Sequence, residues 1–258
     1  MRFVIIAAPR TGSTHLVNLL GRQPDIQCHG EVFGKKRVLY RGRTSDRNKG
    51  LDDELFEHRA TDWKSFLNRI YGMDRGRDHV GFKIFEQHGR HIVTHLVAEK
   101  PIKKIFLYRP NLLAAYASLL SAKNTGVWGS KQRSTTKPDQ KPLFVAEDFE
   151  RFHDRRVAFY QRHIKQAAMS GQKTFAIDYD ELNEPVRLMN LLAFIGASSR
   201  LTKRTEEATR PPSKNILGRF ENREEAERYL EEKNLMHWAY EGELSLEPLG
   251  RSAESEGI

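Results

Sequence analysis

The chain has 258 residues, of which 38% are hydrophobic and 30% are charged, and its formal net charge is +9 at pH 7. These values describe a globular protein, and no apolar run approaches the roughly 20 residues that a membrane-spanning helix needs. The single cysteine, Cys28, excludes a disulfide within the chain and is typical of a reducing compartment, so we expect the protein in the cytoplasm.

Strands and helices alternate along the chain. Residues 2–8 are a β-branched apolar run typical of a buried strand, and apolar residues recur at helical spacing from Thr14 onwards. Later strands are predicted at 80–85, 102–107 and 173–177, and later helices at 112–123, 147–168, 186–195 and 221–238. This alternation favours an α/β fold of three layers, α/β/α, with a central and mainly parallel sheet.

The remaining segments indicate where the domain ends. Residues 126–142 are rich in Gly, Ser, Thr, Lys and Pro, which predicts a mobile loop, and Arg210–Ser213 is a second break. Because no repeat of solenoid length is found, we expect one domain over residues 1–249 and a disordered tail over 250–258.

The turn after the first strand, Pro9–Thr14, is suited to binding an anion. A short loop that opens a helix offers unpaired backbone N–H groups and the positive end of the helix dipole. Gly12 permits close approach of the backbone, Ser13 and Thr14 can donate from their hydroxyl groups, and Arg10 can contact phosphate oxygens through two N–H groups. The turn does not fit the pattern G-x-x-x-x-G-K-[ST], which argues against ATP or GTP hydrolysis.

Several segments resemble one enzyme family. Residues Ala8–Leu16 resemble the 5′-phosphosulfate loop of sulfotransferases that use 3′-phosphoadenosine 5′-phosphosulfate (PAPS), particularly the bacterial group that includes trehalose, lipopolysaccharide and nodulation-factor sulfotransferases. The arginine at Arg10 looks like the carbohydrate-acting branches more than the lysine-bearing cytosolic branch. Phe106–Ser118 is similar to the family's 3′-phosphate segment. Shorter matches follow in the family's order at Cys28–Phe33, Gly81–Lys83, Asn124–Trp128, Ile177–Leu182 and Phe194–Gly196.

The resemblance implies a nucleotide site for PAPS as co-substrate and adenosine 3′,5′-bisphosphate as product. Its implied ligands are Pro9, Arg10, Thr11, Gly12, Ser13, Thr14, His15, Arg109, Ser118 and Lys214. Ser118 lies about two and a half helical turns beyond Arg109, so a contact of both with one phosphate needs a bent first turn or a phosphate that straddles the helix. Lys214 stands where many sulfotransferases close a loop on the nucleotide, although the glycine-rich closing motif of the cytosolic branch is missing here.

Sulfuryl transfer needs a base for the acceptor hydroxyl and positive groups that stabilise the leaving phosphate. Glu31 resembles the glutamate that acts as the base in the carbohydrate-acting relatives, with His29, His88 and His15 as alternatives. Arg10 and Lys83 are the candidate positive groups, and no metal ion is expected because the transferred group carries less charge than a phosphoryl group.

The resemblance also implies that the acceptor is a saccharide or a glycolipid. Two segments with aromatic and basic side chains, Tyr40–Arg43 and Trp128–Lys141, are candidate acceptor contacts. Their basic residues belong to two clusters, at 35–49 and 131–141, which also suit a solvated surface.

Two other functions fit part of the sequence. One is a nucleotide-dependent phosphotransferase or NTPase of the wider phosphate-loop class. The other is a basic nucleic-acid-binding module, but no recognition helix, zinc site or RNA-binding aromatic signature accompanies the charge, so no nucleic-acid partner is expected. Homo-oligomerisation and peripheral contact with a membrane stay open.

Overall fold

The computed structural model describes residues 1–35, 37–40, 49–128, 141–198, 201 and 215–241. The chain divides into two compact units, the first formed by Met1–Tyr108 and His163–Arg210 and the second by Arg109–Arg162 and Pro211–Ile258. The single domain expected over residues 1–249 stays a prediction. The expected tail over 250–258 lies outside the described residues.

Five strands and eight α-helices occur in the described part of the chain. The strands are β1 (Arg2–Ala7), β2 (Ile26–His29), β3 (His79–Ile84), β4 (Ile102–Tyr108) and β5 (Thr174–Asp178). The helices are α1 (Ser13–Leu20), α2 (Lys49–Thr61), α3 (Trp63–Gly72), α4 (Arg90–Ala98), α5 (Leu112–Thr125), α6 (Ala146–Met169), α7 (Pro185–Ile195) and α8 (Arg223–Glu232). None of these described helices is both long and apolar enough to cross a membrane.

All five strands form one parallel sheet in the first unit, in the order β2-β3-β1-β4-β5. The central strand, β1, is buried on both faces, and its Ile5 is in register with Lys83 of β3 and Ile105 of β4. Gly81 of β3 leaves room for the ring of Phe3, since a Cβ atom at Gly81 would lie 2.3 Å from Cε2 of Phe3. The predicted parallel α/β fold is therefore confirmed.

Helices cover both faces of the sheet. Side chains of α1 and α7 form one apolar cluster with alternate residues of β1, including Phe3 and Ile5. On the opposite face, Phe82 of β3 contacts the rings of Phe33 and Tyr71, at centroid distances of 5.8 and 5.5 Å. The result is the predicted three-layer α/β/α arrangement.

The order of the strands determines where a ligand can bind. The chain runs from β1 through α1 towards β2, but from β3 through α4 in the opposite direction, to β4. Because both crossovers are expected to be right-handed, they leave the sheet on opposite faces and open a crevice beyond the carboxyl ends of β1 and β3. The turns after β1, β2 and β3 therefore meet at this edge.

The second unit has an apolar core of its own. Tyr116 of α5 packs against the rings of Phe144, Phe149 and Phe220. Asn111 caps α5, because its side-chain oxygen accepts a hydrogen bond from the backbone N–H of Ala114 at 2.8 Å. This core fixes the start of α5, directly after Arg109.

Candidate active site

The turn between β1 and α1 has a strained backbone. Arg10 has φ 71° and Gly12 has φ 79°, so a left-handed arginine lies three residues before α1 begins. A left-handed residue other than glycine costs about 1–3 kcal/mol, and such conformations are concentrated at ligand sites. The buried hydroxyl of Thr11 donates to the carbonyl oxygen of Ala8 at 2.8 Å and closes the turn.

Gly12 is required by a close neighbour as well as by its backbone. A Cβ atom here would lie 2.7 Å from Cδ2 of Tyr179 and 3.0 Å from Cδ1 of Leu182. Tyr179 follows β5, whose last residue, Asp178, accepts a hydrogen bond from the N–H of Asp180 at 2.8 Å. The residues after β5 therefore pack directly against the turn at Gly12.

The start of α1 carries no acidic residue and no side-chain cap. Its two hydroxyl side chains contact the ammonium group of Lys83, whose Nζ lies 2.7 Å from Oγ1 of Thr14 and 3.4 Å from Oγ of Ser13. Burial lowers the pKa of Arg10, with Tyr179 acting in the opposite direction. The helix dipole, the guanidinium and the ammonium together favour an anion at this place.

Lys83 is buried at the carboxyl end of β3, with 5% of its side chain exposed. Burial lowers the pKa of Lys83, and the carboxylate of Glu31, 3.1 Å from Nζ, opposes that shift. A buried ammonium group is costly without a countercharge, and Glu31 provides one.

Glu31 follows β2, and its two carboxylate oxygens have different partners. Oε1 contacts Lys83, and Oε2 lies 3.3 Å from Nε2 of His88. Burial by itself would raise the pKa of Glu31, but the hydrogen bond from His88 and the charge of Lys83 outweigh burial and lower the pKa to about 2. Glu31 is therefore ionised at neutral pH.

A residue of α2 holds the backbone of the turn that carries Glu31. Nη1 of Arg59 donates to the carbonyl oxygens of Val32 at 2.9 Å and Gly34 at 2.7 Å. The N–H groups of Gly34 and Leu39 donate to the carbonyl oxygen of Glu31 at 3.1 and 3.2 Å. The carboxylate thus extends from a turn whose backbone is held by hydrogen bonds.

Arg109 and Ser118 lie in the second unit. Arg109, which is 6% exposed, forms an ion pair with the buried carboxylate of Glu241, and the other oxygen of that carboxylate lies 3.5 Å from Nη2 of Arg219. Ser118 is half-buried on α5. In this structure Arg109 therefore contacts a carboxylate, a partner that was not predicted from the sequence.

The other predicted site residues are placed as follows. Pro9, in the turn after β1, and His15, on α1, are half-buried, whereas Lys214 lies outside the described residues. Of the two candidate acceptor segments, the structure describes Tyr40, which is buried, and Trp128, which is 52% exposed, but not 41–43 or 129–140. No three His, Cys, Asp or Glu side chains are grouped as metal ligands among the described residues. A metal-free reaction stays a prediction.

A model of a family described as "Sulfotransferase family" matches residues 2–246. The chain belongs to the sulfotransferase family. This match confirms the resemblance and the enzyme class, and it favours sulfuryl transfer over the phosphotransferase and nucleic-acid-binding alternatives.

Two similar proteins are both called Nodulation protein H. The one from Rhizobium tropici is 30% identical to this sulfotransferase over 217 residues, which cover 80% of the chain and 81% of the relative. The one from Rhizobium meliloti (strain 1021) is 27% identical over 202 residues, 76% of the chain and 77% of the relative. A crystal structure of a sulfotransferase from Alicyclobacillus acidocaldarius aligns with 92% of the chain and 95% of that protein at 14% identity. Its TM-score of 0.46 adds no weight to the assignment.

Proposed function

We propose that this sulfotransferase transfers the sulfuryl group of PAPS to a hydroxyl of a carbohydrate or glycolipid acceptor by in-line displacement, leaving adenosine 3′,5′-bisphosphate. One observation carries the proposal: Nζ of Lys83 contacts both Oγ1 of Thr14, at the start of α1, and Oε1 of Glu31. A turn suited to an anion and a carboxylate that can accept a proton are thus bridged by one lysine side chain.

The turn after β1 is proposed to hold the 5′-phosphosulfate. The N–H groups at the start of α1, the hydroxyls of Ser13 and Thr14 and the guanidinium of Arg10 provide donors and positive charge for its oxygens. The resemblance assigns the 3′-phosphate to Arg109 and Ser118, and a closing contact to Lys214.

In the proposed reaction, the acceptor oxygen forms a bond to sulfur while the bond from sulfur to the bridging oxygen breaks. The electron pair of that bond leaves with the 5′-phosphate, and the proton of the acceptor hydroxyl passes to the carboxylate of Glu31. Arg10 and Lys83 stabilise the negative charge that develops on the leaving oxygen.

Lys83 links donor binding to the basicity of Glu31. While Lys83 is paired with the carboxylate, the pKa of Glu31 is about 2, which makes it a weak proton acceptor. When Lys83 turns its charge towards the sulfuryl or bridging oxygen, Glu31 keeps only its contact with His88. Its pKa then rises towards the ordinary value, and the carboxylate becomes a better base when the donor is present.

The acceptor class rests on the resemblance of the Arg10 turn to the carbohydrate-acting branch, and the names of the two relatives are in keeping with it. Location in the cytoplasm is also proposed, on the strength of the single cysteine.

The nucleotide can be tested by thermal shift. Adenosine 3′,5′-bisphosphate should stabilise the protein without a metal ion, and more strongly than ATP with Mg²⁺. The opposite preference would favour a phosphotransferase and contradict the proposal. Incubation with labelled PAPS and a panel of glycans, glycolipids and phenols then identifies the acceptor class.

The role of Glu31 can be tested by Glu31→Gln, which should abolish turnover while adenosine 3′,5′-bisphosphate still binds. Glu99→Gln is a matched control, because Glu99 also pairs with a histidine, His95, at 3.1 Å. Glu99 precedes β4 and therefore lies at the amino ends of the parallel strands, whereas Glu31 follows β2 at their carboxyl ends. A fully active Glu31→Gln variant would remove Glu31 from the mechanism.

A further inference from the structure

His88 lies at the end of a short helical turn after β3, with its imidazole beside the carboxylate of Glu31. The ring is 2% exposed, and it packs against Phe85 at a centroid distance of 5.0 Å. His88 is five positions beyond Lys83, and the ammonium group of Lys83 lies 5.2 Å from the centroid of the same Phe85 ring. The two partners of Glu31 are therefore held by one short segment.

The hydrogen bonds of His88 determine which ring nitrogen carries the proton. The backbone N–H of Phe85 points to Nδ1 at 3.2 Å, and a backbone N–H can only donate. Nδ1 is therefore the acceptor, and the proton of the neutral ring is on Nε2, which faces Oε2 of Glu31. The lone pair of His88 is directed at a backbone amide, away from Glu31.

We propose that His88 is a positioning residue that donates from Nε2 to Glu31 and orients its carboxylate for proton transfer, and that it is not itself the base. This inference rests on the proposed function of Glu31. The contact with His88 does not depend on Lys83, so it can hold the carboxylate in place after Lys83 has turned towards the donor. Protonation of Nδ1 would break the hydrogen bond from Phe85, which is why the ring is unsuited to accept the hydroxyl proton.

Two substitutions separate the two hydrogen bonds of His88. The amide of an asparagine occupies the position of Nδ1, so His88→Asn keeps an acceptor for the N–H of Phe85 but removes the donor to Glu31. The amide of a glutamine reaches the position of Nε2, so His88→Gln keeps that donor. His95→Asn is a matched control, because His95 also contacts a carboxylate, that of Glu99, outside the site.

We expect His88→Asn to lower kcat by about 10- to 100-fold, the size expected for loss of a hydrogen bond to a charged group, and His88→Gln to restore most of it. The acid limb of the pH profile of kcat/KM should move to higher pH in His88→Asn, since the carboxylate loses one of its stabilising donors. Lys83 from β3 and His88 are the charged or titratable side chains that contact Glu31 in the described residues, and Arg59 contacts only the backbone of its turn.

A measurement that does not depend on turnover tests the same point. Long-range ¹H–¹⁵N spectra of ¹⁵N-histidine-labelled protein should show His88 protonated on Nε2 and unprotonated on Nδ1, with the Nε2 signal shifted in Glu31→Gln. A proton on Nδ1, or equal activity of His88→Asn, His88→Gln and wild type, would overturn the inference. If instead wild-type protein neither binds adenosine 3′,5′-bisphosphate nor turns over PAPS, the proposed function itself fails.

Discussion

Removal of the charge of Glu31 should destabilise the protein in a pH-dependent way. Glu31→Gln keeps the size of the side chain but leaves the ammonium group of Lys83, which is 5% exposed, without its carboxylate partner. The pKa of Glu31 falls from 4.5 to about 2 in the folded protein. At 1.36 kcal/mol per pKa unit, this difference corresponds to about 3 kcal/mol of free energy of unfolding at pH 7.

The sign of the pH dependence follows from the direction of the shift. Because the folded-state pKa of Glu31 lies below its unfolded value, its contribution is complete above about pH 5 and is lost as the pH falls towards 2. The difference between wild type and Glu31→Gln should therefore narrow from about 3 kcal/mol at pH 7 to about 1 kcal/mol at pH 3.

Urea unfolding of both proteins at pH 7 and pH 3 measures this difference. Glu99→Gln is again the control, because Glu99 is 42% exposed and its pair with His95 should contribute less than about 1 kcal/mol. Two results would refute the assignment of the low pKa to the buried contacts of Glu31. One is a difference in free energy of unfolding between wild type and Glu31→Gln that is the same at both pH values. The other is a difference at pH 7 no larger than that caused by Glu99→Gln.

Two further substitutions test the turn after β1 and the partner of Arg109. Gly12→Ala should weaken binding of adenosine 3′,5′-bisphosphate, measured by calorimetry, by at least about tenfold and should lower the thermal midpoint more than Gly76→Ala does. Both glycines have positive φ, but only Gly12 lies against Tyr179. Equal effects of the two substitutions would argue against the close approach of Tyr179 to Gly12. Glu241→Gln should strengthen binding of a nucleotide with a 3′-phosphate, since its carboxylate no longer competes for Arg109, while binding of adenosine 5′-phosphosulfate stays unchanged.

Much of the fold follows from local patterns. The apolar run of β1, the turn at Gly12 and the helical spacing after it predict a strand, a loop and a helix, and the structure has them within one or two residues. The predicted helix at 221–238 is wrong at its end, because α8 ends at Glu232 and a separate turn, Met236–Ala239, follows. That turn is set by packing of Trp238 in the second unit's core, which no helical period reveals.

Two of the elements that were not predicted, β2 and α2, lack a clear period in their sequences. β2 has four residues, and it becomes a strand by pairing with β3 over Ile26–His29 and His79–Phe82. Helix α2 was also missed, because its sequence is rich in charged residues and carries little apolar patterning. Such elements depend on partners that are distant in the sequence.

Only part of the candidate site could be predicted from the sequence, because its contacts also depend on elements that are distant in the sequence. Arg10, Glu31 and Lys83 were identified by type and motif, but the contact of Glu31 with Lys83 requires β2 and β3 to be neighbours. The role of His88 depends on the direction of one backbone N–H group, that of Phe85. Glu241 has no motif that links it to Arg109.

The central place of β1 in the sheet has a consequence for biosynthesis. Both of its hydrogen-bonding neighbours, β3 and β4, begin at His79 and Ile102, so they leave the ribosome long after β1 does. At about 5–20 residues per second, the apolar segment Arg2–Ala7 waits about 4–20 seconds for these strands, with its apolar side chains exposed and its backbone not yet paired with a neighbouring strand. During that interval the nascent chain is vulnerable to aggregation, and slower translation between β1 and β4 would prolong the exposure.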